Sequence, residues 1–553
     1  MKALLLFAPV ALPLIAAGLS VAFWRRSAVQ RVVGFTVLTL VLADAFALLY
    51  LADRDGPVAV GMGGWSAPVG VALVADRTAA LLLGMALTVC LGILVFSVGQ
   101  GSAESQEAKP AFHPTYLVLV GGVALAFLTG DLFNLFVAFE VMLAASYVLI
   151  SLGTDASRVH AGMTYTLASL LSSLLFLTTL ALVYGATGTV NLAHLSVRIQ
   201  ELPDGVRSGL DLLLLIVFGI KAAMVPLHFW LPDSYPTAPA PITAVLAALL
   251  TKVGLYAMVR TQTLVFARDD TWVPLMCLAT ATMLLGLLGA IVQKDLNRML
   301  SFILVGHIGY MLFGLALFTA DGIGGTLLYA VHHIAVQAAL FLIAGLVAGW
   351  SGTAALQRLT TAPPPPTLLA VLFLVTAMSL AGLPPFSGFI GKVALIEAGV
   401  AGGGALALGV LGALLVSSLL TVYAMARVWR AVFAQGPERP PRVARRDRRN
   451  RAMLAATAGI VLVGVGLAVA AGPLSRVTER AGAELKERTA YQRAVLPPEF
   501  RPATTAGAGE ARQTGTGWRT GTDRAEGAAA DPPVQGNRAD RGTDRGTDRG
   551  GGR

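Results

Sequence analysis

A succession of long apolar segments, running from residue 3 to residue 472, constrains the fold more than any other feature of the sequence. A helix needs about 20 apolar residues to cross the hydrocarbon core of a bilayer, and that window predicts about 14 spans. The predicted spans lie near residues 3–23, 32–51, 78–98, 115–129, 132–152, 162–185, 209–230, 241–262, 272–292, 300–319, 323–349, 367–397, 402–426 and 452–472. The fold class is therefore predicted to be an all-α integral membrane protein.

The scarcity of charge agrees with this fold class and excludes several others. Charged residues make up 13% of the chain and hydrophobic residues 56%, against about 25% and 45–50% in soluble domains. A soluble globular protein, a nucleic-acid-binding domain and a disulfide scaffold are excluded, because the positive residues lie in loops and the tail and both cysteines lie in apolar runs. The first apolar segment is interpreted as a retained helix rather than a signal peptide, because Arg25 and Arg26 end it and many spans follow.

Positive residues in two loops predict the orientation of the chain. The loop after the first span holds Arg25, Arg26 and Arg31, and the segment 431–451 is rich in arginine. Short loops of this kind face the cytoplasm, and the two assignments agree because an even number of predicted spans separates them. Both termini are then expected on the outer side of a bacterial cell membrane.

The C-terminal segment 473–553 has a different composition from the rest of the chain. It is rich in Gly, Ala, Thr and Arg and contains a repeated RGTD unit between Arg541 and Arg549. Such a segment has too little apolar surface to fold by itself. It is predicted to be a disordered, low-complexity tail.

Ionisable side chains within the apolar segments are the candidate functional residues, because a charge at membrane depth is costly. The candidates are Glu140, Lys221, Lys252, Lys392, His332 and His333. The chain has 34 Arg and seven Lys, yet the cations nearest the middle of the spans are lysines. A buried lysine can lose its proton, whereas arginine stays charged. The pattern favours reversible protonation over the alternative, which is structural ion pairing between helices.

The remaining charged and titratable residues allow simpler interpretations. Asp131 is interpreted as the cap of the fifth span, and Asp76 and Arg77 as an interfacial pair. Asp44 and Glu397 fit a functional or a local structural role equally well. His307, like Glu140 and the two neighbouring histidines, could also be a hydrogen-bonded residue of the packed interior.

Two spans carry helix-breaking residues near a lysine. Pro226 follows Lys221 in the seventh span, and Pro384 and Pro385 precede Lys392 in the twelfth. Proline frees a backbone carbonyl, which is tolerated at membrane depth only against protein or water. Broken helices in two separated halves point to an ion site built from inverted repeats. Motifs for a nucleotide, haem, metal or dinucleotide are absent from the sequence, so no cofactor is predicted.

Three segments resemble one known family. They are DLFNLFVAFEVMLAASYVLI around Glu140, FGIKAAMVPLHFWLPDSYPTAPAPITAVLAALLTKVGLYAMVR around Lys221 and Lys252, and QKDLNRMLSFILVGHIGYMLFG. They are similar to the antiporter-like proton-translocating subunits shared by respiratory complex I and Mrp-type multisubunit Na+/H+ antiporters, and most of all to the D-type subunits of the Mrp antiporters. The resemblance covers roughly residues 70 to 430.

The resemblance implies a fold of 14 helices in which helices 4–8 and 9–13 form two inverted five-helix repeats and helices 7 and 12 are broken. It assigns Glu140 to the helix-5 glutamate and Lys221 to its partner lysine on helix 7. Lys252 and Lys392 match the central lysines of helices 8 and 12. It further implies a hydrated polar axis through these groups in the plane of the membrane.

One position departs from the family pattern. Many relatives have a lysine in the eleventh helix where this chain has Gln337. Glutamine can join a chain of hydrogen-bonded waters, but it cannot carry the charge. His332 or His333 would then bear more of the proton transfer between Lys252 and Lys392.

The sequence predicts a division of the chain and a function. The division is residues 1–114 for helices 1–3, 115–262 and 272–430 for the two repeats, 431–451 for a basic cytoplasmic loop, 452–472 for helix 14 and 473–553 for the tail. We expect a subunit of a monovalent cation/H+ antiporter rather than an enzyme, with other membrane subunits, protons, Na+ or a similar cation and lipid as partners. The alternatives are a pump subunit of a redox complex, of the complex I or membrane-bound hydrogenase kind, and a non-conducting scaffold.

Overall fold

Long apolar helices make up most of the described chain. The computed structural model describes residues 2–101, 111–152, 156–363, 365–402, 404–434 and 448–502, without the side chains of 156–161 and 448–450. Residues up to Arg501 belong to one compact unit. The helices are α1 Lys2–Ala22, α2 Ser27–Asp55, α3 Arg77–Gln100, α4 Phe112–Leu128, α5 Leu132–Ser151, α6 Ala156–Thr187, α7 Leu192–Arg198, α8 Asp204–Ala222, α9 Trp230–Ser234, α10 Ala240–Arg260, α11 Val273–Val292, α12 Leu296–Ala316, α13 Ala320–Ser351, α14 Leu356–Leu359, α15 Thr367–Ala381, α16 Ser387–Gly402, α17 Ala405–Val432, α18 Arg448–Val469, α19 Ala471–Glu487 and α20 Thr489–Val495.

Short elements connect some of these helices. Strands β1 (Val58–Gly61) and β2 (Ala72–Ala75) form an antiparallel pair between α2 and α3. A π-helical turn at Thr261–Val265 continues α10. Short 3₁₀ turns lie at Met62–Gly64, Ile199–Glu201, Tyr235–Thr237 and Pro498–Phe500.

Membrane-spanning helices are confirmed as the dominant element. Within the described residues, 11 helices are long and apolar enough to cross a bilayer, and Phe112–Leu128 and Thr367–Ala381 are shorter apolar helices. The chain is thus a multi-pass, all-α membrane protein, as its sequence predicts. The count of 14 spans and the two inverted repeats remain predictions.

Two helices are interrupted where the sequence places its prolines. Helix α8 ends at Ala222, Ala223 takes a left-handed conformation with φ 59°, and helix resumes at Trp230. Helix α15 ends at Ala381, Gly382 is left-handed with φ 81°, and α16 begins at Ser387. Because proline has no N–H to donate, each interruption leaves carbonyls of the preceding turn available to other donors.

Helices α10, α12 and α13 form the interior of the molecule. Every residue of α10 after Ala240 is buried, and nearly all of α12 and the first two thirds of α13 are buried as well. Helices α1, α2, α17 and α18 lie outside this group and expose many apolar side chains. The ionisable residues carried by the central helices are therefore shielded by a ring of apolar helices.

The structure contradicts part of the predicted disordered tail. Residues 471–495 form α19 and α20, although the sequence predicts disorder from residue 473. The helices are stable because one face is apolar, and on it Ala481, Leu485, Tyr491 and Val495 are buried. Residues 503–553 and most of the predicted basic loop lie outside the described residues.

Candidate functional site

Glu140 and Lys221 are brought together by three helices. Glu140 lies in the middle of α5, Lys221 lies at the end of α8, and Ser173 of α6 stands between them. The Ser173 hydroxyl donates to Glu140 Oε1 and accepts from Lys221 Nζ at 3.3 Å. The predicted carboxylate–lysine pair is thus present as a serine-bridged contact, with Glu140 half-buried and Lys221 6% exposed.

The break after α8 places Lys221 against α10. A Cβ atom at Gly254 would lie 2.6 Å from the Ala222 nitrogen and 2.8 Å from the Lys221 carbonyl carbon. Only glycine permits this approach of the two helix backbones. Lys252 stands two residues before Gly254 on the same helix, 1% exposed, and its Nζ donates to the Ala247 carbonyl at 3.0 Å.

The second break provides the binding partners of Lys392. The Lys392 Nζ donates at 2.7 Å to the carbonyl of Ala381, the residue at which α15 ends. It also donates to Ser418 Oγ of α17 at 3.0 Å and lies 5.0 Å from the ring centre of Tyr310. A carbonyl released by the end of a helix therefore replaces a counter-ion at this lysine.

A group of rings lies between the two breaks. His307 bonds Tyr329 at 2.7 Å and Thr421 at 3.2 Å through its two ring nitrogens, and its ring centre is 5.3 Å from that of His333. Tyr329 stacks on Tyr310, whose hydroxyl is 3.2 Å from the Ser418 hydroxyl. Hydroxyls and imidazoles thus connect His333 to the surroundings of Lys392.

His332 and His333 differ in their surroundings although both are buried. The His332 Nδ1 bonds the Ser387 hydroxyl at 2.8 Å, at the start of α16. Neither ring nitrogen of His333 has a hydrogen-bond partner among the described residues. A buried polar atom without a protein partner is usually bonded to water, so His333 is placed to contact a water chain.

Gln337 is fully buried one turn further along α13. Its Nε2 donates to the Leu300 carbonyl at 3.2 Å, and its Oε1 has no partner among the described residues. The side chain can therefore bond water, but it supplies no charge between Lys252 and Lys392.

The electrostatics of the site are set by three buried lysines, of which Lys221 meets the carboxylate of Glu140 only through a serine. Among the described residues, no carboxylate lies within 4.0 Å of the ammonium groups of Lys221, Lys252 or Lys392. A buried charge without a counter-ion is costly. Loss of a proton from a lysine removes this cost, so the arrangement favours proton exchange between neighbouring groups.

Several residues of the site carry no signal in the sequence. The hydroxyl groups of Ser173, Ser387, Ser418 and Thr421 contact the ionisable residues directly, and Tyr310 reaches Lys392 through its ring. Serine and threonine are common in membrane helices, where most bond the carbonyl four residues earlier. The feature of the sequence that comes closest to indicating these residues is the pair of adjacent serines, Ser172 and Ser173, opposite Glu140.

The charges at one end of the helices, around Asp76 and Arg77, pair differently from the prediction. Asp76 bonds Arg260 at 2.5 Å, with both side chains buried, and does not pair with Arg77. Arg77 instead bonds Glu484 of α19 at 2.6 Å and Asp53 at 2.9 Å. The prediction of an interfacial Asp76–Arg77 pair is wrong because α19, which is predicted to be disordered, supplies a carboxylate to Arg77.

Glu484 is the most perturbed carboxyl in this cluster of charges. Its side chain is 6% exposed, and its Oε1 has no hydrogen-bond partner among the described residues. Burial and, to a lesser extent, the nearby Asp76 carboxylate raise the pKa of Glu484 from 4.5 to about 7, while the bond from Arg77 opposes the rise. The charge of Glu484 therefore changes near neutral pH.

The other candidate functional residues, Asp131, Asp44 and Glu397, have local structural roles or are separate from the group of buried lysines. Asp131 caps α5, because its carboxylate accepts from the Asn134 N–H at 2.9 Å, as predicted. Asp44 is half-buried, and neither of its carboxylate oxygens has a partner among the described residues. Glu397 is exposed and lines an open cavity with Asp321 and Glu479, and the buried lysines are not part of its lining.

The fold and the site define a class: a polytopic helical membrane protein with ionisable side chains buried in its interior. The chain belongs to the family described as NADH:quinone oxidoreductase/Mrp antiporter, TM, whose model matches residues 129–421. It is 36% identical over 499 residues to the D-subunit of the Na(+)/H(+) antiporter of Alkalihalophilus pseudofirmus, covering 89% of this chain and 99% of that protein. It is 35% identical to the Bacillus subtilis protein of the same name, over 76% of this chain and 85% of that protein.

A solved structure has the same fold. A chain of the Mrp complex from Dietzia sp. DQ12-45-1b matches with a TM-score of 0.82 and 32% sequence identity, covering 90% of this chain and 99% of that chain. The family resemblance of the three sequence segments is thereby confirmed.

Proposed function

We propose that this protein is the proton-translocating membrane subunit of a multisubunit Na+/H+ antiporter. The observation that carries the proposal is the series of buried ionisable and hydroxyl groups from Glu140 through Lys221 and Lys252 to Lys392. Relatives that align over most of the chain are named as antiporter subunits, which favours a transporter over an enzyme. The exchanged cation is Na+ or a similar monovalent ion.

The first step of the mechanism is control of Lys221 by Glu140. Two unit charges 4 Å apart interact by about 4 kcal/mol at an effective dielectric constant of 20, and by about half of that at 8 Å. Glu140 therefore holds the proton on Lys221 while Ser173 links them. When the link opens, the buried ammonium loses its compensation and gives up its proton toward Lys252.

The second step carries the proton from Lys252 to Lys392. Waters bonded to His333 bring the proton to its imidazole group and to His307, which bonds Tyr329. Tyr329 stacks on Tyr310, whose hydroxyl leads to Ser418 and Lys392. Gln337 assists as a water ligand without carrying charge. Proton release from Lys392 completes the transfer.

The proposed setting is a bacterial cell membrane with both termini outside and other antiporter subunits alongside. The arginine-rich loops after the first span and at 431–451 support this orientation. The apolar side chains exposed on α1, α2, α17 and α18 are suited to contact lipid and neighbouring membrane subunits.

The test is cation-dependent proton transport by the assembled complex. The protein is expressed with its partner subunits in a bacterium that lacks Na+/H+ antiporters, and collapse of ΔpH in everted vesicles is followed after addition of Na+ or K+. We expect collapse with the wild type, none with Glu140→Ala, and partial activity with Glu140→Asp. Glu201→Ala, at an exposed carboxylate of a surface ion pair, is the matched control.

The family description also names quinone oxidoreductases, so a redox-driven pump is the second candidate. An assembled wild-type complex that leaves ΔpH unchanged on addition of any monovalent cation would overturn the antiporter proposal. Genes for quinone-reducing or iron–sulfur subunits beside this one would then favour the pump.

A further inference from the structure

The segment 471–495, which comprises α19 and α20, packs against the beginning of α13. A Cβ atom at Gly482 would overlap the Ala320 carbonyl oxygen and lie 2.8 Å from the Gly324 nitrogen. Only glycine permits such a close approach of two helix backbones. Helix α13 also carries His332 and His333, so the segment is attached directly to a helix of the buried site.

Polar contacts attach the same segment to two further parts of the chain. Arg480 donates to the Asp53 carboxylate of α2 at 2.7 Å. Lys486 Nζ donates at 2.7 Å to the carbonyl of Arg268, which lies beyond the π-helical turn that continues α10. Both cations are partly exposed, and ion pairs in contact with water stabilise little. These contacts therefore orient the segment without fixing it permanently.

Helix α20 attaches the segment to the end of α10 itself. The Tyr491 ring centre lies 5.0 Å from the guanidinium carbon of Arg260, the last residue of α10. Lys252 stands eight residues before Arg260 on this helix. The segment thus holds one end of each of the helices that carry Lys252 and His333.

Glu484 makes this attachment conditional on its protonation. Its buried side chain bonds Arg77 through one oxygen, and its other oxygen has no partner among the described residues. Burial raises the pKa of Glu484 to about 7. The carboxyl is therefore neutral in the packed segment at acidic pH, whereas the carboxylate formed above neutral pH is more stable in water than in a buried position.

The other carboxyl groups around α19 are paired or exposed. Three of them pair with cations: Asp76 with Arg260 through both oxygens, Asp53 with Arg77 and Arg480, and Asp269 with Lys486. Asp321 of α13 and Glu479 and Glu487 of α19 are exposed. Glu484 is therefore the carboxyl whose ionisation bears most directly on the packing of the segment.

The proposed transport cycle requires movement of the helices that the segment connects. Lys221 packs against α10 at Gly254, and its link to Glu140 has to open and close in each cycle. A segment that ties the end of α10 to α2 and α13 opposes this movement. Its release should accelerate the cycle.

We propose that residues 471–495 form a strap that slows transport while Glu484 is protonated and releases the helices when Glu484 loses its proton. The inference rests on the proposed function and adds regulation to it. In the proposed orientation the strap lies on the outer side of the membrane, so transport responds to the external pH.

The first test keeps the strap docked at every pH. The assembled complex is reconstituted in liposomes, a Na+ gradient drives proton movement, and the starting pH is equal on both sides. Each rate is divided by the wild-type rate at the same pH, which cancels the titration of other groups. Glu484→Gln should transport like the wild type at pH 6 and about fivefold more slowly at pH 8. Glu487→Gln, at an exposed position of the same helix, is the control and should match the wild type throughout.

The second test releases the strap without changing its charge. Gly482→Ala forces α19 away from α13, so it should transport severalfold faster than the wild type at pH 6 and equally fast at pH 8. Gly472→Ala is the matched control, because a Cβ there meets only the end of Arg476, at 3.8 Å. A gain in rate cannot arise from loss of folding. Transport by Gly482→Ala at or below the wild-type rate at pH 6 would overturn the strap.

The outcomes separate this inference from the proposed function. If the wild type exchanges Na+ for protons and Glu484→Gln has the same relative rate at pH 6 and pH 8, the strap is wrong and the proposed function stands. If the wild-type complex moves no protons in response to Na+ or K+ at any pH, the proposed function fails and the strap fails with it.

Discussion

Glu140 and Lys221 are joined through the hydroxyl of Ser173, which donates to the carboxylate and accepts from the ammonium. A hydroxyl in this position can keep both contacts or break either one by rotation about a single side-chain bond. A direct ion pair would need movement of a whole helix or of two long side chains to separate. The serine therefore lowers the cost of switching Lys221 between a compensated and an uncompensated state.

Removal of this hydroxyl is expected to slow transport without preventing assembly. A hydrogen bond to a charged group contributes about 1.5–3 kcal/mol, so Ser173→Ala should lower the rate of Na+-dependent ΔpH collapse about tenfold or more. Ser173→Thr keeps the hydroxyl and should retain most of the activity. Thr178→Ala is the control, because Thr178 is exposed on the same helix and bonds only a carbonyl of its own helix. Wild-type transport by Ser173→Ala would show that the bridge is not used.

The membrane fold and the two helix breaks could be predicted because they depend on local properties. Apolar runs of about 20 residues identify spans, and the prolines after Lys221 and before Lys392 mark the places where helix ends. The tail prediction is wrong for residues 471–495 because it rests on average composition. The apolar face of α19 alternates with charged residues, and its partners are distant in the sequence.

The site could be predicted only in part for a related reason. Lysine, glutamate and histidine in apolar runs are unusual, and each is therefore visible in a single sequence. Ser173 and Ser418 are ordinary membrane-helix residues, and only the three-dimensional arrangement shows their contacts with Lys221 and Lys392. The pairing of Arg77 with Glu484, 407 residues apart, could not be read from sequence spacing.

The glycine at the second break is expected to position Lys392. A Cβ atom at Gly382 would lie 2.6 Å from Lys392 Cδ, so Gly382→Ala should displace the lysine and reduce transport severalfold. The left-handed backbone adds strain of about 1 kcal/mol for alanine. Gly352→Ala controls for that strain, because Gly352 is also left-handed but a Cβ there meets nothing within 4 Å. Equal transport by the two variants, measured per assembled complex, would contradict a positioning role.

The two neighbouring histidines are expected to contribute unequally. His333→Gln should slow transport more than His332→Gln, because neither His333 nitrogen has a partner among the described residues and its ring contacts His307. His332 is held by Ser387, so glutamine can replace much of its hydrogen bonding. Rates of ΔpH collapse in everted vesicles test the order, with His194→Gln as a control on the peripheral helix α7. The reverse order would place the proton route through Ser387 instead.

The attachment of α19 is expected to weaken as pH rises through neutrality. The pKa of Glu484 is raised from 4.5 to about 7, so the folded protein holds this proton more tightly than the unfolded chain does. The stability gained from protonated Glu484 is therefore fully present at low pH and decreases between about pH 4.5 and 7.

Amide hydrogen exchange in α19, corrected for the intrinsic effect of pH, should show less protection at pH 8 than at pH 5.5. Glu484→Gln should remove this difference, whereas Glu487→Gln, at an exposed position of the same helix, should keep it. Equal protection of wild-type α19 at both pH values would contradict the assignment.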